Sequence, residues 1–366
     1  MSTKQKILIV VGAIVLAGVG YYFVVGRQSI RQKRIYKMKM QEEQKQEKTM
    51  PVVNNGPVNP ISGLSCENWN RRPLAVMQAA DLQARPAAGF SQADMVIEMP
   101  VITASVTRLM GIYICNLPPE VGSMRSSRHD FIHLAKGLDA IYAHWGGSHF
   151  AKEILNQKAI DNLNCNDDGG RSAGKCCFRK SGMQRGVDSG YAHPEKLLEC
   201  AKEFGYRLES KFAGYPHQEE LSLDERPKGG HLRVGFAGVY GVSYDYDKET
   251  NTYLRTWGGK EDTDRNNGQR LAPKNIVVMM ASSEQIEGQY NNVQLGDPWY
   301  DVTDSGEAHY YFNGKEYRGT WKKDKSNIGS KLFFYDEKGE EMKFVPGQIW
   351  VEVLEPGQNL KWTPAV

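Results

Sequence analysis

The sequence predicts an α+β protein. We expect an N-terminal α/β-like domain with a mixed sheet, then a C-terminal and largely antiparallel β domain, with a single transmembrane helix before both. Three observations lead to this fold class: an uncharged apolar run near the N-terminus, short strands alternating with helices in the first half, and a second half composed almost entirely of strand patterns. At 366 residues the chain is long enough for two domains.

The predicted organisation has five parts. They are a short tail (1–6), a transmembrane anchor (7–26), a basic stalk with a Pro-rich linker (27–60), an N-terminal α+β domain (61–215) and a C-terminal antiparallel β-rich domain (231–356). The anchor is an uncharged stretch long enough to cross a bilayer as a helix. A cleaved signal peptide is the alternative, but the run is long for a signal core and no small-x-small cleavage site precedes the basic segment.

Charge is distributed unevenly along the chain. Residues 1–48 carry ten Lys/Arg against three Glu, which leaves 36 basic and 40 acidic side chains, a net charge of −4, in the remainder. A mildly acidic body argues against a nucleic-acid partner. Most of the excess basic residues directly follow the anchor. The positive-inside rule, taken literally, would therefore keep the body in the cytoplasm.

Six cysteines are an even number, as disulfide pairing outside the cytoplasm requires. They are Cys66, Cys115, Cys165, Cys176, Cys177 and Cys200. The last four form neither a Cys-x-x-Cys pair nor a Cys/His pair at ligand spacing, which disfavours zinc. We expect no metal and no cofactor, and both disulfides and buried thiols stay open.

The first half of the body alternates strands and helices. Strands are predicted at 73–77, 94–99, 106–115 and 139–145, and helices from near 128, from near 149 to 156, and from 193 to near 205. Residues 165–190 have no apolar period and are predicted to form a long loop.

The second half is predicted to be β-rich. Strands are expected at 232–236, 239–246, 252–257, 276–281, 308–312, 316–321, 331–335, 341–344 and 348–354. Asn313-Gly314 is a strong two-residue hairpin turn.

Two loops of the first half collect the unusual polar residues. One, at 122–128, carries two late serine hydroxyls that can cap a helix starting near Arg128, and the other, at 146–148, ends in Ser148, which is placed to cap the next helix. Helix N-termini attract anions, and guanidinium groups bind carboxylate or phosphate. The predicted site for an anionic or polyhydroxylated ligand consists of Arg108, Arg125, Ser126, Arg128, His144, Gly146, Gly147 and Ser148.

Two other interpretations use the same residues. In the first, the arginines pair with acidic side chains and only order the loops; the candidates are Asp94, Glu98 and Asp130. In the second, Ser148 or Ser126 is a nucleophile and His144 its base, oriented by Asp94 or Glu98. Neither Gly-x-Ser-x-Gly nor His-Glu-x-x-His occurs in the sequence.

A series of ordered blocks carries a family resemblance. The blocks are RPLAVM (72–77), ARPAAGFSQADMVIE (84–98), TRLMGIY (107–113), VGSMRSSR (121–128), DAIYAHWGGS (139–148), EKLLECAKEFGY (195–206), GTWKK (319–323) and GQIWVEV (347–353). The series resembles the YerB-like lipoprotein family. That resemblance implies a bacterial envelope protein, tethered to the membrane, with two outward-facing α+β domains and no established activity. The chain departs from the family in having an anchor where relatives carry a lipid-modified Cys, and GYAHP (190–194) where they tend to have Pro-His-Asn.

From these observations we expect a single-pass membrane protein whose body lies on the extracytoplasmic side and binds a surface component. Peptidoglycan or another anionic glycan is the first expectation for that component. The alternatives are an envelope hydrolase or transferase that uses the His144/Ser148 region, and a non-catalytic scaffold for another envelope protein.

Overall fold

A computed structural model describes residues 58–102, 105–167, 172–183, 188–288 and 290–365. Across these ranges the protein is mostly β, with a mixed sheet, antiparallel sheets and three α-helices. No helix in the described ranges is long and apolar enough to span a bilayer. The tail, the anchor and most of the stalk and linker predicted from the sequence lie outside them.

The elements follow one another in this order. The first part contains β1 (Leu74–Ala79), β2 (Met95–Pro100), β3 (Thr107–Tyr113), β4 (Val121–Gly122), α1 (His129–Gly137), β5 (Ile141–His144), α2 (His149–Asn156), β6 (Asn162–Asn164), β7 (Cys177–Arg179), β8 (Gly190–Ala192) and α3 (Pro194–Glu203). The second part contains β9 (Gly230–Gly235), β10 (Val242–Asp247), β11 (Thr252–Trp257), β12 (Lys260–Glu261), β13 (Asn275–Met280), β14 (Ser283–Ile286), β15 (Tyr290–Val293), β16 (Ser305–Phe312), β17 (Lys315–Lys323), β18 (Leu332–Asp336), β19 (Ile349–Leu354) and β20 (Asn359–Pro364).

The largest sheet has ten strands in the order β18-β17-β16-β13-β19-β2-β3-β1-β5-β6. It takes strands from both halves of the sequence, which meet where β19 pairs in parallel with β2. Both of these strands are buried along their whole length, as continuous apolar runs such as MVIEMP and IWVEVL indicate. The pairs β1/β5 and β5/β6 are also parallel, and α2 makes the crossover from β5 to β6.

A second sheet of five antiparallel strands has the order β12-β11-β10-β9-β20. Residues alternate between buried and accessible along β10 and β11, so one face of the sheet is packed. Buried side chains of this face, including Leu232 and Tyr244, share one apolar core with Phe90 and Trp350. The remaining strands form a three-stranded sheet, β4-β8-β7, and the hairpin β14-β15.

Most predicted elements are present, but the short strands β4, β6, β12, β14 and β15 were not predicted, and further differences concern three other segments. Residues 341–344 form no strand and only make isolated bridges, through Glu341 and Phe344. The closing strand β20 was not predicted, because its mixed and largely exposed sequence gives no apolar pattern. The predicted loop at 165–190 contains β7 and the first residue of β8.

All six cysteines are paired. The disulfides are Cys66–Cys115, Cys165–Cys177 and Cys176–Cys200. The last two fasten the segment around β7, one of them to α3. The disulfide alternative is therefore the correct one, and neither a zinc site nor free thiols remain among these cysteines.

One buried guanidinium joins the two large sheets. Arg255 of β11 lies with its Nη2 2.5 Å from Oε2 of Glu98 in β2, and it also donates a hydrogen bond to Asp262. Its Nε lies 3.8 Å from Oε1 of Glu352 in β19. Burial raises the pKa of Glu352 to about 8, and repulsion from Glu98 adds to that shift. Tyr244 donates a hydrogen bond to the same Oε1.

We expect Glu352→Gln to flatten the pH dependence of stability. A carboxyl whose pKa is raised on folding stabilises the protein fully below its unfolded-state pKa, and the contribution is lost as the pH rises to about 8. One such group gives a slope of about 1.4 kcal/mol per pH unit within that window. Urea unfolding of both proteins between pH 5 and 8 measures the difference, and parallel curves would contradict the assignment.

Candidate anion-binding site

Backbone hydrogen bonds hold the two polar loops side by side. The Ser127 amide donates to the Gly146 carbonyl at 2.9 Å, and the Ser148 amide donates to the Ser127 carbonyl at 3.2 Å. The Trp145 amide donates to the Arg125 carbonyl at 2.9 Å, which extends the contact by one more pair. As a result, the first turns of α1 and α2 open next to each other.

The two helix starts are capped differently. Ser148 is the N-cap of α2, and its hydroxyl accepts a hydrogen bond from the Ala151 amide at 3.2 Å, as the sequence predicts. The N-cap of α1 is Arg128, and no side chain caps that helix. The predicted serine cap of α1 is therefore wrong, because the Ser127 hydroxyl accepts instead from the hydroxyl of Tyr142, at 2.9 Å.

Arg108 and Arg128 form no ion pair with a carboxylate anywhere in the described part of the chain. Arg108, on β3, is 8 % exposed and donates from Nη1 to the Ser126 carbonyl at 2.9 Å. Arg128 is half-buried and donates from Nη1 to the Ser127 carbonyl at 3.0 Å. The Nε atoms of both are buried with no hydrogen-bond partner. Their guanidinium groups therefore keep donors that the protein does not use.

Burial and like charge act together on these two arginines. Burial lowers the pKa of Arg108 well below its ordinary value, and the neighbouring charges of Arg128 and Arg125 lower it further. Burial also lowers the pKa of Arg128, against the opposing influence of Tyr290 and Tyr142. A nearby anion would relieve this repulsion between the guanidinium groups.

Arg125 has a different environment, because two carboxylates neutralise it. Its Nη2 lies 2.5 Å from Oδ2 of Asp81 and 2.8 Å from Oδ1 of Asp188. Asp188 is 3 % exposed, so this is a nearly buried ion pair. Of the three predicted arginines, Arg125 is the one that orders the loops.

The acidic partners proposed from the sequence lie elsewhere. Asp94 accepts hydrogen bonds from Asn59 Nδ2 at 2.7 Å and from the Ile114 amide at 2.6 Å, and burial raises its pKa to about 6. Glu98 belongs to the Arg255 network described above. Asp130 accepts from the amide of Val293 at 2.8 Å. None of these three acids forms an ion pair with a site arginine among the described residues, although the charge of Asp130 opposes the lowering of the pKa of Arg128 by burial.

His144 and Ser148 do not form a nucleophile–base pair in these contacts. The Nδ1 atom of His144 lies 2.7 Å from the Gly146 carbonyl and its Nε2 lies 3.2 Å from Oδ1 of Asn162. Both residues are at least 95 % buried. Gly147 and Ser126, in contrast, are half-buried and line the accessible part of the loops.

Aromatic side chains near the arginines were missed by the sequence analysis. The ring centroid of Tyr290 lies 5.8 Å from Cζ of Arg128. Burial raises the pKa of Tyr240, while the charges of Arg85, Arg108 and Arg125 oppose that shift. Both tyrosines come from the second half of the chain, and no local pattern connects them with the arginine loops.

Known protein families match most of the body of this chain. The N-terminal domain of DUF3048, a protein family of unknown function, matches residues 61–207, and the C-terminal domain of the same family matches residues 232–351. The chain belongs to the DUF3048 family. The candidate site of this DUF3048 protein takes its arginines from the N-terminal match and its tyrosines from the C-terminal match.

The resemblance to YerB-like proteins is confirmed. A Bacillus subtilis (strain 168) protein described as "Putative lipoprotein YerB" is 29% identical over 303 residues, which cover 81% of this chain and 85% of that protein. The crystal structure of the YerB protein from Bacillus subtilis has a TM-score of 0.71 and 27% sequence identity, and the match covers 84% of this DUF3048 chain and 99% of that one.

The two kinds of arginine make a testable contrast in stability. We expect Arg125→Gln to lower the free energy of unfolding by about 3 kcal/mol, because it leaves Asp188 buried without its partner. Arg128→Gln should change it by less than about 1 kcal/mol, since it removes repulsion and no ion pair. Urea unfolding of the full-length protein measures both, and equal losses would contradict the distinction.

Proposed function

We propose that this protein is a single-pass, membrane-anchored envelope protein whose body binds an anionic surface component through Arg108 and Arg128. The observation that carries the proposal is that these two guanidinium groups, one on β3 and one at the N-cap of α1, bond to the carbonyls of Ser126 and Ser127 and have no carboxylate partner among the described residues. An anionic ligand would supply the negative charge that they lack.

Three observations support the envelope location. Three disulfides suit an oxidising compartment. The similar Bacillus subtilis protein is described as a lipoprotein. Residues 7–26 of the sequence supply a candidate anchor for the proposed extracytoplasmic body. These observations together outweigh the literal count of positive charges beside the anchor.

The chemistry of the site favours an anionic glycan. Guanidinium groups suit phosphate or carboxylate, and the half-buried tyrosine ring of Tyr290 offers an apolar face for a sugar ring. The remainder of the body is mildly acidic, so the attraction is local to the site and unlike the broad basic surface of a nucleic-acid-binding protein. Peptidoglycan, or an anionic polymer attached to it, is the proposed ligand.

Topology can be tested with one introduced thiol. Val302 is 75% exposed, and all six native cysteines are paired, so Val302→Cys gives one accessible thiol above a wild-type background near zero. We expect a membrane-impermeant maleimide to label this variant on intact cells. Labelling that requires cell lysis would place the body in the cytoplasm and contradict the proposal.

The binding test is co-sedimentation of the detergent-purified full-length protein with purified sacculi, prepared with and without their anionic polymers. We expect Arg128→Gln to weaken binding about tenfold, the loss expected from one charge-assisted interaction. Wild-type binding should fall as NaCl is raised, because salt screens partly exposed charge.

The matched control is Arg318→Gln. Arg318 is 60% exposed, lies in β17 and is 3.8 Å from Glu316, so its removal takes away the same charge outside the two polar loops. Equal binding of wild type and Arg128→Gln would contradict the role of the arginines. Release of wall fragments, detected by mass spectrometry and lost in Ser148→Ala, would favour the hydrolase instead. If wild type and all variants cross-link to the same envelope protein, the scaffold is favoured.

A further inference from the structure

A buried group of ligand-type side chains lies next to the arginine site. We call it the acid–histidine cluster; it consists of His129 and Asp130 from the first turn of α1 and Asp297 from the loop after β15. One nitrogen or oxygen atom from each side chain lies within 4.8 Å of those from the other two. All three residues are at most 1 % exposed.

Hydrogen bonds leave part of each side chain unsatisfied. Asp130 Oδ1 accepts from the Val293 amide, but its Oδ2 is buried without a partner. Asp297 Oδ1 accepts from two amides of the following turn, whereas its Oδ2 has none. The Nε2 atom of His129 lies 3.0 Å from Oδ1 of Asn292, and its Nδ1 is unpartnered.

The side chains around the cluster also lack hydrogen-bond partners. Three neighbouring side chains also hold a buried polar atom without a hydrogen-bond partner: Asp301 through Oδ1, Gln294 through Nε2 and His133 through Nδ1. Buried polar atoms without a partner are uncommon in folded proteins and cost free energy. Six of them in one small region indicate that a component of the structure belongs there.

The charge balance indicates what kind of component it is. Three carboxylates, those of Asp130, Asp297 and Asp301, lie in this region. The imidazole beside them is that of His129, whose Nε2 lies 3.4 Å from Oδ1 of Asp130. A water molecule could satisfy donors and acceptors here, but a divalent cation would also balance the negative charge that one imidazole leaves on the carboxylates.

The spacing and the atom types suit a metal ion. Ligand atoms on opposite sides of a divalent cation, each about 2.1–2.4 Å from it, are about 4.2–4.8 Å apart. One imidazole together with carboxylates favours a transition metal such as Zn²⁺ or Mn²⁺ over Ca²⁺, which prefers oxygen ligands alone.

We propose that His129, Asp130 and Asp297 hold one divalent transition-metal ion, with Asp301 as a further carboxylate beside them. The ion is structural, because the cluster is closed to solvent. It ties the first turn of α1, within the N-terminal family match, to the loop after β15, within the C-terminal family match. It would also fix the backbone at Arg128, which immediately precedes His129. The sequence alone predicts no metal here, because Asp297 lies far from His129 and Asp130 in the chain.

The test begins with the full-length protein, purified in detergent, stripped with EDTA and dialysed against Mn²⁺ or Zn²⁺. We expect one equivalent of metal to remain bound, measured by plasma mass spectrometry. At a hundredfold excess over Kd, the melting temperature should rise by about 5 °C. Asp297→Asn should lose both effects, while its remaining oxygen can still accept the two turn amides.

The matched control removes a histidine–carboxylate pair on the surface. His231 Nδ1 lies 2.6 Å from Oδ1 of Asp245, and both side chains are about half exposed, so Asp245→Asn should leave the stoichiometry and the thermal shift unchanged. If Asp297→Asn does not fold, crystals of the wild type decide, through an anomalous difference peak between His129, Asp130 and Asp297. Absence of that peak, or an equal thermal shift in Asp297→Asn and wild type, would overturn the proposal.

Discussion

The main constraint on this fold is positive charge that the protein itself does not neutralise. Burying a cation without an anionic partner is costly, and the charge of Arg128 lies close enough to lower the pKa of Arg108. The bridge between the two loops places Arg128 at the start of α1 beside the start of α2, where helix dipoles add further positive potential. An arrangement of this kind is stabilised by an anion from outside.

Other buried arginines differ from Arg108 and Arg128, because carboxylates within the protein neutralise them. Arg255 lies among carboxylates from two sheets, and Arg125 has two acidic partners of its own. Both therefore act as connections within the fold, and the excess of buried acid around Arg255 is met by protonation of Glu352. The acid–histidine cluster lies next to the arginine site and has the opposite imbalance, because a single imidazole, that of His129, faces the buried carboxylates of Asp130 and Asp297. Charge imbalance of either sign is thus concentrated around the first turn of α1.

Local sequence predicts some of this site and not the rest. The Ser148 cap and the strand before it follow from short-range patterns, and the loop residues 122–128 could be selected because their polarity interrupts apolar strands. The ion-pair partners of Arg125 could not be identified, since one lies before the loop and the other far after it in the chain. Tyr290 and Asp297 reach the site because the hairpin β14-β15 packs against the start of α1, where the Val293 amide donates to Asp130, and no local pattern encodes this contact. The edge strand β20 was missed for a related reason: its exposed sequence carries no apolar period.

The most direct test of the central claim is to follow the guanidinium Nε–H resonances of the full-length protein by NMR while inorganic phosphate is added. The account predicts that the Nε–H signals of Arg108 and Arg128 shift together and saturably, whereas that of the exposed Arg318 shows at most a weak, non-saturating change. If the Arg108 and Arg128 signals do not respond, or respond no more than that of Arg318, the positive charge at the helix starts is not a binding site for anions.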